Sequence, residues 1–259
     1  MKFKTPEEKC LYYRELANYK LLPGLPIIIF LDGRSFSKKI KPKFDLPFSD
    51  IFVRIMDETL AWVCKNIQGC RFGYCQSDEM SVIVVDKDEE GDPGSSFFCY
   101  RLCKIQSIVA SIATSKFNQL MMSEWLKMEG NTVEGMELYE FDCRAWTVPG
   151  NNDIYSWFLY RQNDCIRNSK QQVAQTYLRH KELLGLNTDE QLEKLRVEKG
   201  IDYDKDFPAN VKCGRVCYRE EVVLESIEYG EYKRNRWGIH DAPYFREDTG
   251  KELLLEFLE

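Results

Sequence analysis

The hydrophobic pattern is most informative where it is unbroken. Ile27 to Leu31 form a continuous apolar run that stops at Asp32-Gly33-Arg34. With no polar alternation, the run reads as a strand buried on both faces. Arg71 to Cys75 and Met80 to Val85 flank a polar break holding Asp78 and Glu79, which predicts a hairpin with acids at its tip. Between these strands, Ile51, Phe52, Ile55, Met56, Leu60 and Val63 recur at helical spacing to about Cys64. Ser49 can cap that helix and Asp50 sits in its first turn. Phe98, Leu102, Ile105, Val109 and Ile112 step by four, three, four and three, one buried stripe on a long helix starting at about Phe97. Leu138 to Trp146 reads as a further strand.

The resulting order is strand, helix, strand, strand, helix, strand. That is the split βαβ, ferredoxin-like α+β arrangement of a polymerase palm. It places Asp32 and Asp78 on adjacent central strands. A helix over residues 5 to 22 precedes it, capped by Thr5 with Pro6 at its first position and ended by Pro23-Gly24. Ser37 to Lys43 is a basic loop, and Asp86 to Gly94 an acidic turn. Residues 1–150 form the palm-like core, and residues 151–259 a helical and short-β part packed on it. In that second part Asp153 can cap a helix, and Thr188 with Gln191 can form a capping box for another to about Lys199. Val211 to Cys217 and Glu221 to Leu224 read as a short β pair, and Lys251 to Glu259 as a short amphipathic helix or strand.

Composition narrows the setting. The chain has 259 residues, 44% hydrophobic and 13% aromatic, enough for an ample core. A net charge of -6 argues against a general nucleic-acid coat, although a local basic stripe suffices for RNA. The charged N-terminus lacks the apolar segment of a signal peptide, and no apolar run approaches the roughly 20 residues that span a bilayer. Ten cysteines are therefore expected to be reduced thiols in a cytoplasmic protein. Cys99/Cys103 and Cys213/Cys217 have zinc-like spacing, but small buried hydrophobes are the better reading.

Two strand ends that each offer a carboxylate suit a divalent cation bound to phosphates. Magnesium takes oxygen ligands, usually one or two carboxylates with phosphates and water. Gly33 lets backbone approach a ligand closely. Lys104 can reach a phosphate or be an ordinary exposed lysine. Trp157, Arg161, Asp164 and Asn168 step by four, three and four along one helix face. That face is either a nucleotide or RNA surface or an exposed face with an internal Arg161–Asp164 ion pair. Lys233-Arg234-Asn235-Arg236-Trp237 is a basic patch with an aromatic, an RNA contact by composition.

These stretches resemble the tRNA(His) guanylyltransferase superfamily, and within it the Thg1-like protein branch. The resemblance lies in Leu31-Asp32-Gly33-Arg34-Ser35-Phe36, in Gly73-Tyr74-Cys75-Gln76-Ser77-Asp78-Glu79-Met80-Ser81 and in Lys104-Ile105 with Ala110-Ser111. It continues in Phe141-Asp142-Cys143-Arg144 and in Trp157 with Arg161-Gln162-Asn163-Asp164-Cys165, covering roughly residues 27 to 172. It implies nucleotide addition in the 3′ to 5′ direction at the 5′ end of tRNA. Two Mg²⁺ ions would be held by Asp32, Asp78 and the Gly33 carbonyl, with Glu79 in the same catalytic cluster. ATP or GTP would activate the 5′-phosphate. Arg34, Ser35, Phe36, Ser77, Lys104 and Asn168 would contact nucleotides, and Arg144, Trp157, Arg161, Arg167, Lys233 and Arg236 would contact tRNA. The implied assembly is a homotetramer, a dimer of dimers.

Two departures sharpen the expectation. Guanylyltransferases proper carry His-Ile-Asn-Asn where this chain has Ile166-Arg167-Asn168-Ser169, which favours template-dependent 5′-end repair over dedicated addition to tRNA(His). A family lysine before a proline is replaced by Leu46-Pro47, leaving Lys41 or Lys43 to substitute. The alternatives are a tRNA(His) guanylyltransferase, another palm nucleotidyltransferase or nucleotide cyclase, and a non-catalytic nucleotide- or RNA-binding protein on the same fold.

Overall fold

The computed structural model describes residues 3–40, 46–85, 97–226 and 230–257. The acidic turn at 86–94 and the substitutes Lys41 and Lys43 lie outside the described residues. In chain order the elements are α1 (Pro6–Leu16), β1 (Ile27–Gly33), α2 (Phe36–Ile40), α3 (Asp50–Asn66), β2 (Cys70–Gln76) and β3 (Glu79–Val84). Then come α4 (Leu102–Trp125), β4 (Phe141–Thr147), α5 (Asn151–Tyr177), α6 (His180–Leu183), α7 (Thr188–Lys199), α8 (Tyr203–Asp206) and α9 (Ala209–Cys213). The hairpin β5 (Arg215–Ser226) and β6 (Gly230–Asp241) and the helix α10 (Asp248–Glu256) complete the chain.

One antiparallel sheet runs β4-β1-β3-β2-β5-β6. Its first four strands with α3 and α4 are the ferredoxin-like unit, and the fold is α+β and palm-like as expected. Helices cover both faces, which explains why β1 shows no alternation. Ile27, Ile29 and Leu31 pack with Ile55, Leu60 and Val63 of α3 and Ile105, Val109 and Phe117 of α4. Ile28 faces the other way, into a cluster with Phe72, Tyr74, Ile154, Phe158 and Leu254. Each such side chain contributes about 1.5–3 kcal/mol on burial. Gly73 allows α3 to lie close to β2: a Cβ there would come within 2.6 Å of the Cys64 Sγ.

Several boundaries differ from the sequence reading. Helix α1 stops at Leu16, and Lys20 instead bridges Arg101. Thr5 does cap it, accepting from the Glu8 amide at 3.1 Å. Helix α4 begins at Leu102 because Phe98, Cys99 and Tyr100 all have positive φ (53°, 52° and 60°), forming a left-handed turn ahead of it. Gly150, not Asp153, is the N-cap of α5. The capping box belongs to Asn187 and Glu190, one residue before the expected pair. Val211 to Cys217 and Glu221 to Leu224 are not a β pair: the strand residues of both fall on one 12-residue strand, β5, whose hairpin partner is the 12-residue β6 that contains the basic patch. Residues 211 to 213 are helical, and β5 continues the core sheet by pairing with β2. The C-terminal segment is helical to Glu256.

Candidate functional site

Period-two geometry assembles the site. Asp32 stands opposite Glu79 on β3 and opposite Asp142 on β4, so three carboxylates form a row on one face of the sheet. Asp78 joins them from the two-residue turn between β2 and β3, where Ser77 has φ 46° and its hydroxyl donates to Asp78 at 3.0 Å. Gly33 closes the cluster. Its amide donates to the Asp78 carbonyl at 3.1 Å, and a Cβ there would meet Phe36 at 2.6 Å and the Asp78 carboxylate at 2.9 Å. Any larger residue would therefore push the Asp78 carboxylate aside.

The charges in this row are treated unequally. Glu79 is held by Arg161 (Nη2 to Oε2, 2.5 Å) and by the Gln76 amide at 2.6 Å. Arg161 also pairs with Asp164 at 2.9 Å. Asp32 and Asp78 have no cation within ion-pair distance among the described residues. Burial, then the Asp142 charge, raises the Asp32 carboxyl above its ordinary range. Burial pushes Asp78 up to about 6, with the Asp32 and Glu79 charges acting in the same direction. Two partly buried carboxylates that repel each other form a hard-oxygen donor pair that fits a divalent cation. Among the described residues no three His, Cys, Asp or Glu side chains are placed to hold one metal ion together, so further ligands would come from substrate and water.

A cleft opens beside Asp78 between α3 and α5. Phe36, Leu46, Pro47, Phe48 and Phe52 supply apolar walls; Gln76, Ser77, Asn168 and Gln172 supply polar groups. That composition suits a flat heteroaromatic ring with a polar edge. Ser77 and Asn168, both expected to contact nucleotide, are thus brought together with Asp78. The Phe36 ring is largely spent on packing with Phe117, Tyr139 and Phe141, only one part of it lining the cleft. Arg34 and Ser35 follow the strand end and are exposed.

Other expected site residues lie elsewhere. Lys104 belongs to the first turn of α4, which is tied to Tyr19 and Leu21 ahead of β1. Asp32 ends β1, level with Thr114 and Phe117 farther along the same helix. Roughly 15 Å of helix therefore separates Lys104 from the acid row within this chain. Arg161 is 7% exposed and committed to two carboxylates, so it positions Glu79 rather than forming an RNA surface. Trp157 is half-buried: its indole donates to Ser81 at 3.0 Å and it packs edge-on against Phe30 and Trp146. Arg167 stays exposed and pairs with Asp164 at 2.6 Å, while Arg144 pairs with Asp142 at 3.0 Å. Lys233 and Arg236 are paired to Glu221 and Glu220.

Sequence reasoning missed two members of the site. Asp142 was signalled only by the alternation Asp142-Arg144 in a strand. Arg215 carried no local signal. It is 3% exposed, lines the cleft and pairs with Asp57 at 2.6 Å, from a position 158 residues away.

The palm-like sheet thus presents a carboxylate row beside a cleft whose lining suits a heteroaromatic ring. The family model for tRNA(His) guanylyltransferase, Thg1, matches residues 10–149, and the chain belongs to that family. Among solved structures, a bacterial Thg1-like protein in complex with ATP is similar at 29% identity and TM-score 0.83, covering 98% of this chain and 99% of that one. The bacterial Thg1-like protein in complex with GTP follows at 28% identity and TM-score 0.77, with 97% and 98% covered. The tRNA(His) guanylyltransferase of Saccharomyces cerevisiae, at 22% identity and TM-score 0.66, shares the fold, with 86% of this chain and 94% of that one covered. The tRNA(His) guanylyltransferase 2 of Arabidopsis thaliana is 27% identical over 82% of this chain. The chain spans 39% of the length of that plant relative. Among the described residues no helix is long and apolar enough to cross a membrane.

Proposed function

We propose that the protein adds nucleotides in the 3′ to 5′ direction to the 5′ end of tRNA, copying the opposite strand, after ATP or GTP activates the 5′-phosphate. One observation carries this reading. Asp32 and Asp78 have no cation within ion-pair distance among the described residues, and Asp78 lines the cleft that suits a heteroaromatic ring. Bacterial Thg1-like proteins of similar sequence hold ATP or GTP, which supports a nucleoside triphosphate as the occupant of that cleft. Ile166, where guanylyltransferases proper carry histidine, supports repair over dedicated tRNA(His) chemistry.

The reaction needs two displacements. The RNA 5′-monophosphate oxygen attacks the α-phosphorus of ATP and pyrophosphate leaves. The 3′-hydroxyl of an incoming nucleotide then attacks the activated 5′-phosphorus and AMP leaves. Asp32, Asp78 and the Gly33 carbonyl would hold Mg²⁺, which when bound neutralises phosphate charge and stabilises attacking and leaving oxygens. The residues of the chain do the positioning. Gly33 keeps the main chain against the Asp78 carboxylate. Arg161 and Gln76 fix Glu79, and the Arg161 guanidinium offsets its charge, so that the row does not repel the phosphates with its full charge. Ser77 and Asn168 border the cleft where the nucleotide is oriented. Positioning and charge stabilisation are the main catalytic contributions available to phosphoryl transfer.

The test uses a tRNA lacking its 5′ nucleotide and bearing a 5′-monophosphate, with ATP, Mg²⁺ and each nucleoside triphosphate in turn. Addition of only the nucleotide complementary to the facing 3′ base supports the proposal. Addition of G to tRNA(His) regardless of template would make the protein a guanylyltransferase despite Ile166. Consumption of ATP without RNA extension would overturn both.

A further inference from the structure

A groove on the opposite flank of α3 from the acid cleft is walled by α3, α4 and the β5–β6 hairpin. Its lining includes Trp62 and Lys65 of α3, Lys116 of α4, Arg219 of β5, and Arg234 and Trp237 of β6. Three features set it apart from an ordinary charged surface. Lys65, Lys116, Arg219 and Arg234 have no carboxylate within ion-pair distance among the described residues, whereas Arg236, also in the lining, and Lys233 beside it are paired to Glu220 and Glu221, and the one lining carboxylate, Glu58, is paired to Arg54. Trp62, a large aromatic, is 41% exposed on the outer face of α3. The cations also cluster on the rings: Lys116 and Lys65 stand 5.3 and 5.7 Å from the Trp62 centroid, and Arg219 stands 5.4 Å from Trp237.

We infer that this groove binds an unpaired stretch of RNA. Unpaired bases expose faces that stack on tryptophan, and a positively charged groove tracks the phosphates. A duplex hides its base faces and would leave both tryptophans unused. The local excess of unpaired cations stands against a chain of net charge -6, so the attraction is confined to this groove. Helix α3 links it to the reaction site. Phe52 and Val53 line the acid cleft, and Trp62 lies nine residues beyond Val53, roughly 14 Å along the helix axis. The identity of the RNA as tRNA rests on the function proposed above; the single-strand chemistry does not. Two parts of a tRNA offer that chemistry: its unpaired 3′ end, which lies beside the 5′ end being extended, and its loops.

The test is fluorescence anisotropy with a labelled single-stranded RNA octamer, a blunt duplex and an acidic peptide of equal charge. The octamer should bind most tightly. Trp62→Ala and the pair Lys65→Gln/Arg234→Gln should each weaken it about tenfold. The charge pair should also lower the salt slope by about 1.4. Lys65→Arg/Arg234→Lys should restore both, with melting temperature showing that every variant is folded. Equal binding of the duplex or the peptide, or octamer binding unmoved by all variants, would overturn the inference. If trimming the 3′ end of tRNA abolishes the Trp62 dependence, the 3′ end is the occupant; if the dependence persists, a loop is. A protein that binds the octamer through Trp62 but extends no tRNA would sink the proposed activity and leave the groove standing. A Trp62→Ala protein that extends tRNA with an unchanged KM would retain the activity and sink the groove.

Discussion

The inner strands β4, β1, β3 and β2 and the appended hairpin β5–β6 belong to one sheet, but they treat charge in opposite ways. At the ends of the inner strands, Asp32 and Asp78 are partly buried, burial raises both carboxyls, with the Asp142 charge adding to the first and the Asp32 and Glu79 charges to the second, and neither has a cation within ion-pair distance among the described residues. Along the hairpin, apart from the Arg219 and Arg234 that line the groove, exposed basic side chains are answered across the strands, Lys233 by Glu221 and Arg236 by Glu220. A protein that spends burial on unpaired carboxylates forgoes stability at those positions. A solvated ladder of pairs costs little and contributes little. The contrast separates a place prepared for a ligand from a surface kept soluble.

The largest expected effect would break that contrast at its centre. Asp78→Ala should lower the rate of nucleotide addition by at least about a thousandfold. The melting temperature should hold or rise, because the substitution removes a carboxylate that burial penalises. Single-turnover extension of 5′-truncated tRNA together with a thermal melt checks both. Activity near that of the parent protein would remove Asp78 from the site.

Arg161→Leu comes next and has the opposite signature. It strips Glu79 of its ion pair while leaving the carboxylate partly buried, an expected cost of about 3 kcal/mol in folding stability. Adding Glu79→Gln should recover a good part of it. Urea titration of both single variants and the double variant measures the coupling, and strictly additive losses would show that the two side chains act independently. Gly33→Ala should fall between the two in kind. The added Cβ meets Phe36 and the Asp78 carboxylate, so about 1–2 kcal/mol of stability should go, with a larger proportional loss of nucleotide addition. Full activity in that variant would mean that the Asp78 carboxylate has room to relocate.

What could be read from the chain follows the range of the interactions involved. The β1 strand was legible because five consecutive apolar residues need cover on both faces, and α3 because its stripe and its Ser49 cap agree. The acid row was half legible: Asp32 and Asp78 stand at the ends of apolar runs, whereas Asp142 needed the strand register to reveal its neighbours. Arg161 looked like one member of an exposed polar stripe, because its partner Glu79 is 82 residues away. The start of α4 was obscured because Phe98 fits the apolar stripe, while the left-handed turn at Phe98 to Tyr100 is a backbone property that the stripe does not encode. The hairpin was misplaced for a related reason: the strand residues of both expected segments lie on β5, and β6 was read as a basic patch. Arg219-Glu220-Glu221 and Lys233-Arg234-Asn235-Arg236 have the composition of a loop, and only their mutual register makes them strands.

The smallest expected effect tests the other side of the contrast. Lys233→Ala with Arg236→Ala removes two exposed cations whose partners, Glu221 and Glu220, can return to water. Such pairs are worth little, so stability should shift by no more than about 1 kcal/mol in total. Because both cations are already engaged, tRNA affinity should fall by less than about twofold, far less than when the unpaired Lys65 and Arg234 are changed. Filter binding across a salt series, run beside urea titration, measures both quantities. A stability loss well above that figure would make the hairpin ladder a cooperative network. A large loss of affinity would mean that RNA displaces the glutamates and takes over their cations, so that the hairpin, like the strand ends, is a charge arrangement completed by its ligand.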